Sequence, residues 1–150
     1  MRHLQRLFAH LQWADEQVLA ALREATSAPE GAVQLYAHVL ASEHNWLARL
    51  AGTAQMDVVP TLSLHACEEL ARDNHARFGA LVASLSSTDL DHVVAYRRRD
   101  GQAQERRLED ILLHVALHAM YHRGQAATLL RQAGETPNAT DYITWSGEEP

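Results

Sequence analysis

Three histidines recur at four-residue steps in the stretch LLHVALHAMYHRGQ, residues 112–125. A helix turns about 100° per residue, so residues four apart lie nearly above one another, one turn on. With Ile111 as the centre of the apolar stripe, His118 and His122 fall about 20° to either side of it, and His114 falls about 60° away. Two neutral imidazoles placed in this way can share one metal ion, or each can hydrogen-bond a neighbouring helix. We predict a metal bound by His118 and His122, and a supporting or surface role for His114.

A complete site needs ligands from another helix, and the stretch YAHVLASEHNWLARL offers His38, Glu43 and His44. Glu43 lies in the middle of the apolar stripe, whereas His38 lies beyond its edge. A buried carboxylate is costly unless it binds a metal or a hydrogen-bond donor. Periodicity alone therefore favours Glu43 over His38. Asp15 lies on the apolar stripe of the first helix, either as a partly exposed acid or as a polar group with a buried task.

Four runs of apolar residues at three- and four-residue steps must position these side chains. They predict amphipathic helices over about 3–25, 32–51, 64–85 and 106–133. Ser63 or Thr61 is expected to cap the third helix. Between the third and fourth runs the periodicity lapses, and Asp100-Gly101 between β-rich flanks predicts a hairpin. The pattern predicts an all-α fold, a four-helix bundle in one domain that spans residues 1–150.

Composition excludes several classes of protein. The net charge of −6 argues against a nucleic-acid partner, because such affinity depends largely on Lys and Arg. A single cysteine, Cys67, excludes an internal disulfide, and the absence of a signal core or a long apolar run predicts a cytoplasmic protein without membrane contact. Ten histidines are present where roughly three or four are usual. Five of them share no spacing and are expected to be exposed: His3, His10, His65, His75 and His92.

The chain resembles the DinB family, the DinB/YfiT-like proteins. The resemblance rests on FAHLQWADEQVLAAL, HVLASEHNWLARLAG, the DG hairpin, LEDILLHVALHAMYHRGQ and GETPNATDY, and it covers nearly the whole chain. It implies up-down-down-up order of the four helices, a homodimer, and a divalent metal held by His38, His118 and His122. The resemblance therefore chooses His38 where periodicity favoured Glu43, which becomes a residue near the site.

The resemblance also implies an activity, because characterised relatives are thiol S-transferases or isomerases that use mycothiol, bacillithiol or glutathione. Three protein ligands leave one position of the metal open, as in catalytic sites. Zn or Ni is expected, with Fe and Mn as further options. One alternative is a hydrolase that uses metal-bound hydroxide, with Glu43 or Asp15 as base. Another is a metal-binding stress-response module without turnover.

Polar and aromatic residues around the histidines suggest further contacts. Arg123 and Gln125 are expected to orient the histidines, to bind substrate or cofactor, or to seal a dimer; the alternative is an ordinary surface position. Trp13, Trp46 and Tyr121 are expected either to belong to the core or to line a pocket for an acceptor. The expected partner is thus a small molecule, with a low-molecular-weight thiol as co-substrate.

Overall fold

The structure is a computed structural model that describes residues 1–98 and 100–148. Arg99 of the basic run YRRRDG and the last two residues of the C-terminal tail lie outside the described residues. Within the described part of the chain, no helix combines the length and the apolar character needed to cross a membrane.

Four long helices account for most of the chain, as the apolar periodicity predicted: α1 Arg2–Glu24, α2 Glu30–Ala51, α3 Leu64–Ser84 and α4 Leu108–Gln132. Local signals set several of their ends. The Ser63 hydroxyl accepts a hydrogen bond from the Ala66 amide at 3.2 Å and caps α3, as expected. Gly52 ends α2 in the left-handed conformation at φ 67°. The all-α prediction is confirmed.

Two smaller elements connect and close the bundle. Strands β1 (Val93–Arg97) and β2 (Ala103–Arg107) form an antiparallel hairpin. Gly101 takes φ 81° in its turn, which confirms the hairpin predicted from the Asp-Gly pair. After α4 the chain forms a short helix, α5 (Tyr142–Glu148), and Trp145 of this helix is buried.

The pairing of helix halves fixes the direction of each helix. One apolar cluster joins the first halves of α1 and α4 to the second halves of α2 and α3, through Phe8, Ile111, Trp46 and Phe78. The other joins the opposite halves, through Leu22, Leu130, Tyr36 and Cys67. Helices α1 and α4 therefore run one way and α2 and α3 the other, which is the up-down-down-up order. Helix α2 packs mainly against α4 and α3, and α1 mainly against α3 and α4.

Candidate metal centre

Three imidazoles converge where α2 packs antiparallel against α4. The ring of His38 lies 5.2 Å from that of His118 and 4.6 Å from that of His122, and the last two lie 4.5 Å apart. One ring nitrogen from each residue lies within 4.8 Å of the other two, and all three residues are half-buried. The arrangement places three ligand atoms around one position that solvent can reach.

Hydrogen bonds fix which nitrogen two of these rings offer. His38 Nδ1 lies 2.6 Å from the Val58 carbonyl oxygen, and His122 Nδ1 lies 2.8 Å from Gln125 Oε1. An amide oxygen can only accept, so in both rings Nδ1 carries the proton and donates. Nε2 is then the nitrogen with a free lone pair. Metal-binding histidines are held in this way by oxygen acceptors behind them.

The ring of His118 lies near both of the other rings, and its surroundings favour the neutral form. Burial lowers the pKa of His118 to about 4, and the neighbouring rings of His122, His38 and His114 act in the same direction. A neutral imidazole is the form that binds a metal ion. A donor set of three imidazoles fits a divalent transition metal such as Zn or Ni.

The structure places His38, and not Glu43, beside the helix-four pair. The centre of the α2 stripe, where Glu43 lies, faces the middle of the bundle. Because α2 contacts both α3 and α4, its flank beyond the stripe is not exposed but turns His38 toward α4. The angular positions of residues around a single helix cannot show this, because they do not include the second helix against which α2 packs. The three residues brought together are those that the family resemblance implied.

Asp15 and Glu43 belong to a second cluster of titratable groups at the centre of the bundle. Ligand atoms of these two carboxylates and of His75 lie within 4.8 Å of one another. Arg123 Nη1 donates to Asp15 Oδ1 at 2.8 Å, and His75 Nε2 lies 3.1 Å from Asp15 Oδ2. Asn74 Nδ2 lies 3.3 Å from Glu43 Oε2. This buried polar network ties all four long helices together.

The pKa values of the two carboxylates in the buried polar network are shifted in opposite directions. Burial alone would raise the pKa of Asp15, but the Arg123 cation and the hydrogen bond from His75 bring it below its usual value. For Glu43, burial and then the charge of Asp15 raise the pKa well above the usual range. The surroundings therefore favour the protonated form of Glu43 and the ionised form of Asp15. Because Arg123 already neutralises Asp15, a metal ion here would compete with a bound cation, so the three-histidine cluster is the better metal centre.

Several sequence expectations need correction. Asp15 is fully buried, so it is the polar group with a buried task and not a partly exposed acid. His10 and His75 were expected to be exposed, but His10 is 5% exposed and the side chain of His75 is 6% exposed. Their partners explain this, since His10 Nε2 bonds the Thr140 carbonyl oxygen at 2.9 Å and His75 bonds Asp15. Both partners are at least 60 residues away, so no local spacing could reveal them.

The residues expected around the histidines separate into different positions. Gln125 contacts His122, as described above, whereas the guanidinium of Arg123 is directed at Asp15. Tyr121 is 64% exposed, with its ring 5.0 Å from that of His122. Trp13 packs against His10, with 5.9 Å between the rings, near the C-terminal segment. Sequence reasoning missed the Val58 carbonyl, because a main-chain acceptor in a loop carries no residue-type signal.

His114, the third histidine of the opening stretch, is exposed as a residue but not isolated. Its ring lies 5.5 Å from that of His118 and 5.6 Å from that of Trp46. Trp46 is buried at the end of α2, where Tyr96 of the hairpin lies 5.1 Å from it. A continuous row of rings therefore leads from the metal centre to the hairpin.

Comparison with known proteins agrees with this geometry. No curated protein matches the chain with significance. The family model described as DinB family matches residues 1–149. With a four-helix bundle of the expected order and a cluster of three histidines between two of its helices, the chain belongs to the DinB family.

Proposed function

We propose that this protein is a metal-dependent enzyme that activates a small-molecule thiol for S-transfer or isomerisation. The observation that carries the proposal is the cluster of His38, His118 and His122, three imidazoles with Nδ1 of two of them held by oxygen acceptors. Three protein ligands leave a position for substrate, and a divalent ion held there would lower the pKa of a thiol that occupies it.

The surroundings of the two carboxylates argue against the form of the hydrolase alternative in which Glu43 or Asp15 is the base. A general base must lie within hydrogen-bond reach of the proton that it removes. Among the described residues, the hydrogen bonds of Asp15 and Glu43 lead to Arg123, His75 and Asn74, and none leads to the three imidazoles. Burial and the charge of Asp15 also raise the pKa of Glu43, which favours its protonated form. A thiol with a lowered pKa needs no such base, because it loses its proton to solvent.

The remaining residues orient the centre. Gln125 and the Val58 carbonyl hold the His122 and His38 rings so that Nε2 of each points to the shared position. Tyr121 stands exposed beside His122, with 5.0 Å between the two ring centres. The usual order of affinities favours Ni or Zn over Fe and Mn at imidazole ligands.

Metal content and thiol transfer test the proposal together. Wild type, His38→Ala and His118→Ala would be loaded with Zn or Ni, and bound metal measured by mass spectrometry. His65→Ala is the control, because the side chain of His65 is 78% exposed and lies on α3. We expect one ion per chain in wild type and in the control, and none in the other two. Conjugation of glutathione to 1-chloro-2,4-dinitrobenzene should then depend on the bound metal.

Each outcome separates the candidate functions. A wild type that binds neither metal would overturn the metal centre and with it the enzyme. Stoichiometric metal without metal-dependent conjugation of any of the three thiols, glutathione, bacillithiol or mycothiol, would favour the metal-binding module without turnover. Metal-dependent hydrolysis of esters in place of conjugation would favour the hydrolase.

We also propose a homodimer, formed through the outer face of α4. Leu113, Leu117, Met120 and Tyr121 lie on one face of α4, since Leu117 is four residues from both Leu113 and Tyr121 and three from Met120, and they expose 38%, 57%, 54% and 64% of their surface. An exposed apolar stripe of this kind can pair with its own copy about a two-fold axis. Leu117→Lys should reduce the mass measured by light scattering to that of one chain, and a Val59→Lys control should not. A monomeric wild type would refute the proposal.

A further inference from the structure

A cavity of about 520 Å³ opens between the end of α2, the hairpin and the first half of α4. It is lined by Trp46, Arg49, Tyr96, Arg98, Asp100 and His114. Aromatic walls and cationic groups give it the mixed character of a site for a small molecule with an anionic group. The charged side chains in its wall, and its position relative to the three histidines, indicate what the cavity binds.

Arg49 is a half-buried cation that has no anionic partner among the residues that the structure describes. Its guanidinium carbon lies 4.7 Å from the centre of the Trp46 ring and 5.8 Å from that of Tyr96. These are cation–π contacts with the two rings, which do not use the N–H groups as hydrogen-bond donors to an oxygen. Nε is buried without a hydrogen-bond acceptor in the part of the chain that the structure describes. Burial lowers the pKa of Arg49, which is the cost of holding this cation away from water.

The carboxylate nearest in the cavity does not neutralise Arg49. Asp100 lies on the hairpin turn, and its Oδ2 is 3.8 Å from Nε of Arg98. Within residues 1–98 and 100–148, Arg49 has no ion pair at all. In a chain with a net charge of −6, an unpaired arginine in a cavity is an unusual feature. An anion bound from outside would satisfy its N–H donors.

The cavity lies beside the metal centre. His114 forms part of its wall, and the row of rings runs from Trp46 to His114 over 5.6 Å and from His114 to His118 over 5.5 Å. A molecule the size of a tripeptide extends about 10 Å. An elongated small molecule that follows this row of rings would place an anionic group at Arg49 and a reacting group toward His118.

We propose that Arg49 binds a carboxylate of the small molecule whose other end reacts at the three-histidine centre. The rings of Trp46 and Tyr96 contact the guanidinium at the cavity wall, and a planar guanidinium presents two parallel N–H donors that match the two oxygens of a carboxylate. The proposed binding of a carboxylate depends only on the observations made in the cavity. The role of the other end rests on the proposed function.

A metal-free titration tests the carboxylate subsite by itself. Succinate would be added to protein in a chelator, with succinamide as its neutral counterpart, while the Arg49 Nε–H and Trp46 indole signals are followed by NMR. We expect saturable shifts with succinate and none with succinamide. Arg49→Met keeps the apolar stem that covers Trp46 and should weaken binding tenfold or more. Arg131→Met, at an exposed arginine in the last turn of α4, is the control and should leave binding unchanged.

The outcomes are distinct from those of the proposed function. Unsaturable or absent shifts, equal shifts with succinamide, or equal binding by Arg49→Met would overturn the subsite; Arg49→Gln repeats the comparison if the methionine variant does not fold. In metal-loaded protein, Arg49→Met should raise the KM for glutathione at least tenfold with little change in kcat. If wild type binds no metal or shows no turnover, the proposed function fails, while the succinate titration still decides the subsite.

Discussion

Replacing Glu43 by glutamine tests the charge state of the buried polar network, because the two side chains share a shape but only glutamate ionises. Glu43 is 2% exposed, and burial together with the charge of Asp15 raises its pKa well above the usual range. In the unfolded chain a glutamate has a pKa of about 4.3. Above that pH, the folded protein therefore holds a proton on Glu43 that the unfolded chain has released.

The sign and size of the effect follow from this single proton. A carboxyl whose pKa is raised on folding contributes stability below its unfolded pKa, and the contribution falls as the pH rises toward the folded pKa. The free energy of unfolding then falls by up to about 1.4 kcal/mol per pH unit. Asp15, whose folded pKa is lowered, behaves oppositely, since its contribution is complete above its unfolded pKa of about 3.9 and is lost only at lower pH. Above about pH 5, Glu43 alone of the pair produces a slope.

Urea denaturation at pH 5, 6 and 7 in a chelator measures the difference between the two proteins. Glu43→Gln should gain stability relative to wild type by up to about 1.4 kcal/mol with each pH unit until the pKa of Glu43 is passed. Histidines titrate in both proteins, so they cancel in the difference. Glu24→Gln, at an exposed glutamate near the end of α1, should show no such trend. If the curves of Glu43→Gln and wild type run parallel from pH 5 to 7, Glu43 is ionised in the folded protein and the reasoning is wrong.

Three further predictions concern single side chains. Gln125→Ala removes the acceptor behind His122 and should weaken zinc binding about 10- to 100-fold in competition with a chelator; an unchanged affinity would show that this bond does not orient the ring. Arg123→Met leaves the Asp15 carboxylate buried without its cation and should cost about 3–5 kcal/mol in urea denaturation, so that a cost below about 1 kcal/mol would contradict the ion pair. Cys67 is fully buried, and burial raises its pKa to about 11, so it should resist 5,5′-dithiobis(2-nitrobenzoate) at pH 8 until urea unfolds the chain; rapid labelling of the native protein would contradict this burial.

Local signals were sufficient for the elements of the fold. The four helices follow from apolar steps of three and four, the cap at Ser63 from a hydroxyl before a helix, and the hairpin from Asp100-Gly101. Such features depend on residues within one or two turns of one another. The order and direction of the helices came from the family resemblance, because no local pattern records which helices become neighbours.

Only the part of the candidate site that lies on α4 could be predicted from spacing. The spacing of His118 and His122 placed both on the inner side of α4, but the choice between His38 and Glu43 depended on how α2 packs between α3 and α4. The partnership of Asp15 with Arg123 joins residues 108 positions apart and was not foreseen. Buried polar residues take their meaning from such distant partners, which periodicity does not encode.

The connection between α2 and α3 has a consequence for how metal affinity can change. Asn45 Nδ2 donates to the Met56 carbonyl oxygen at 3.0 Å and Asn45 Oδ1 accepts from its amide at 2.8 Å, while Val58 accepts from His38. The shape of this loop therefore sets the angle of a ring that would hold the proposed ion. Because linkage between two equilibria is reciprocal, an ion that favours this ring angle also orders the loop. Substitutions in the loop can thus tune the affinity for metal, by selection or by design, while every ligand stays the same.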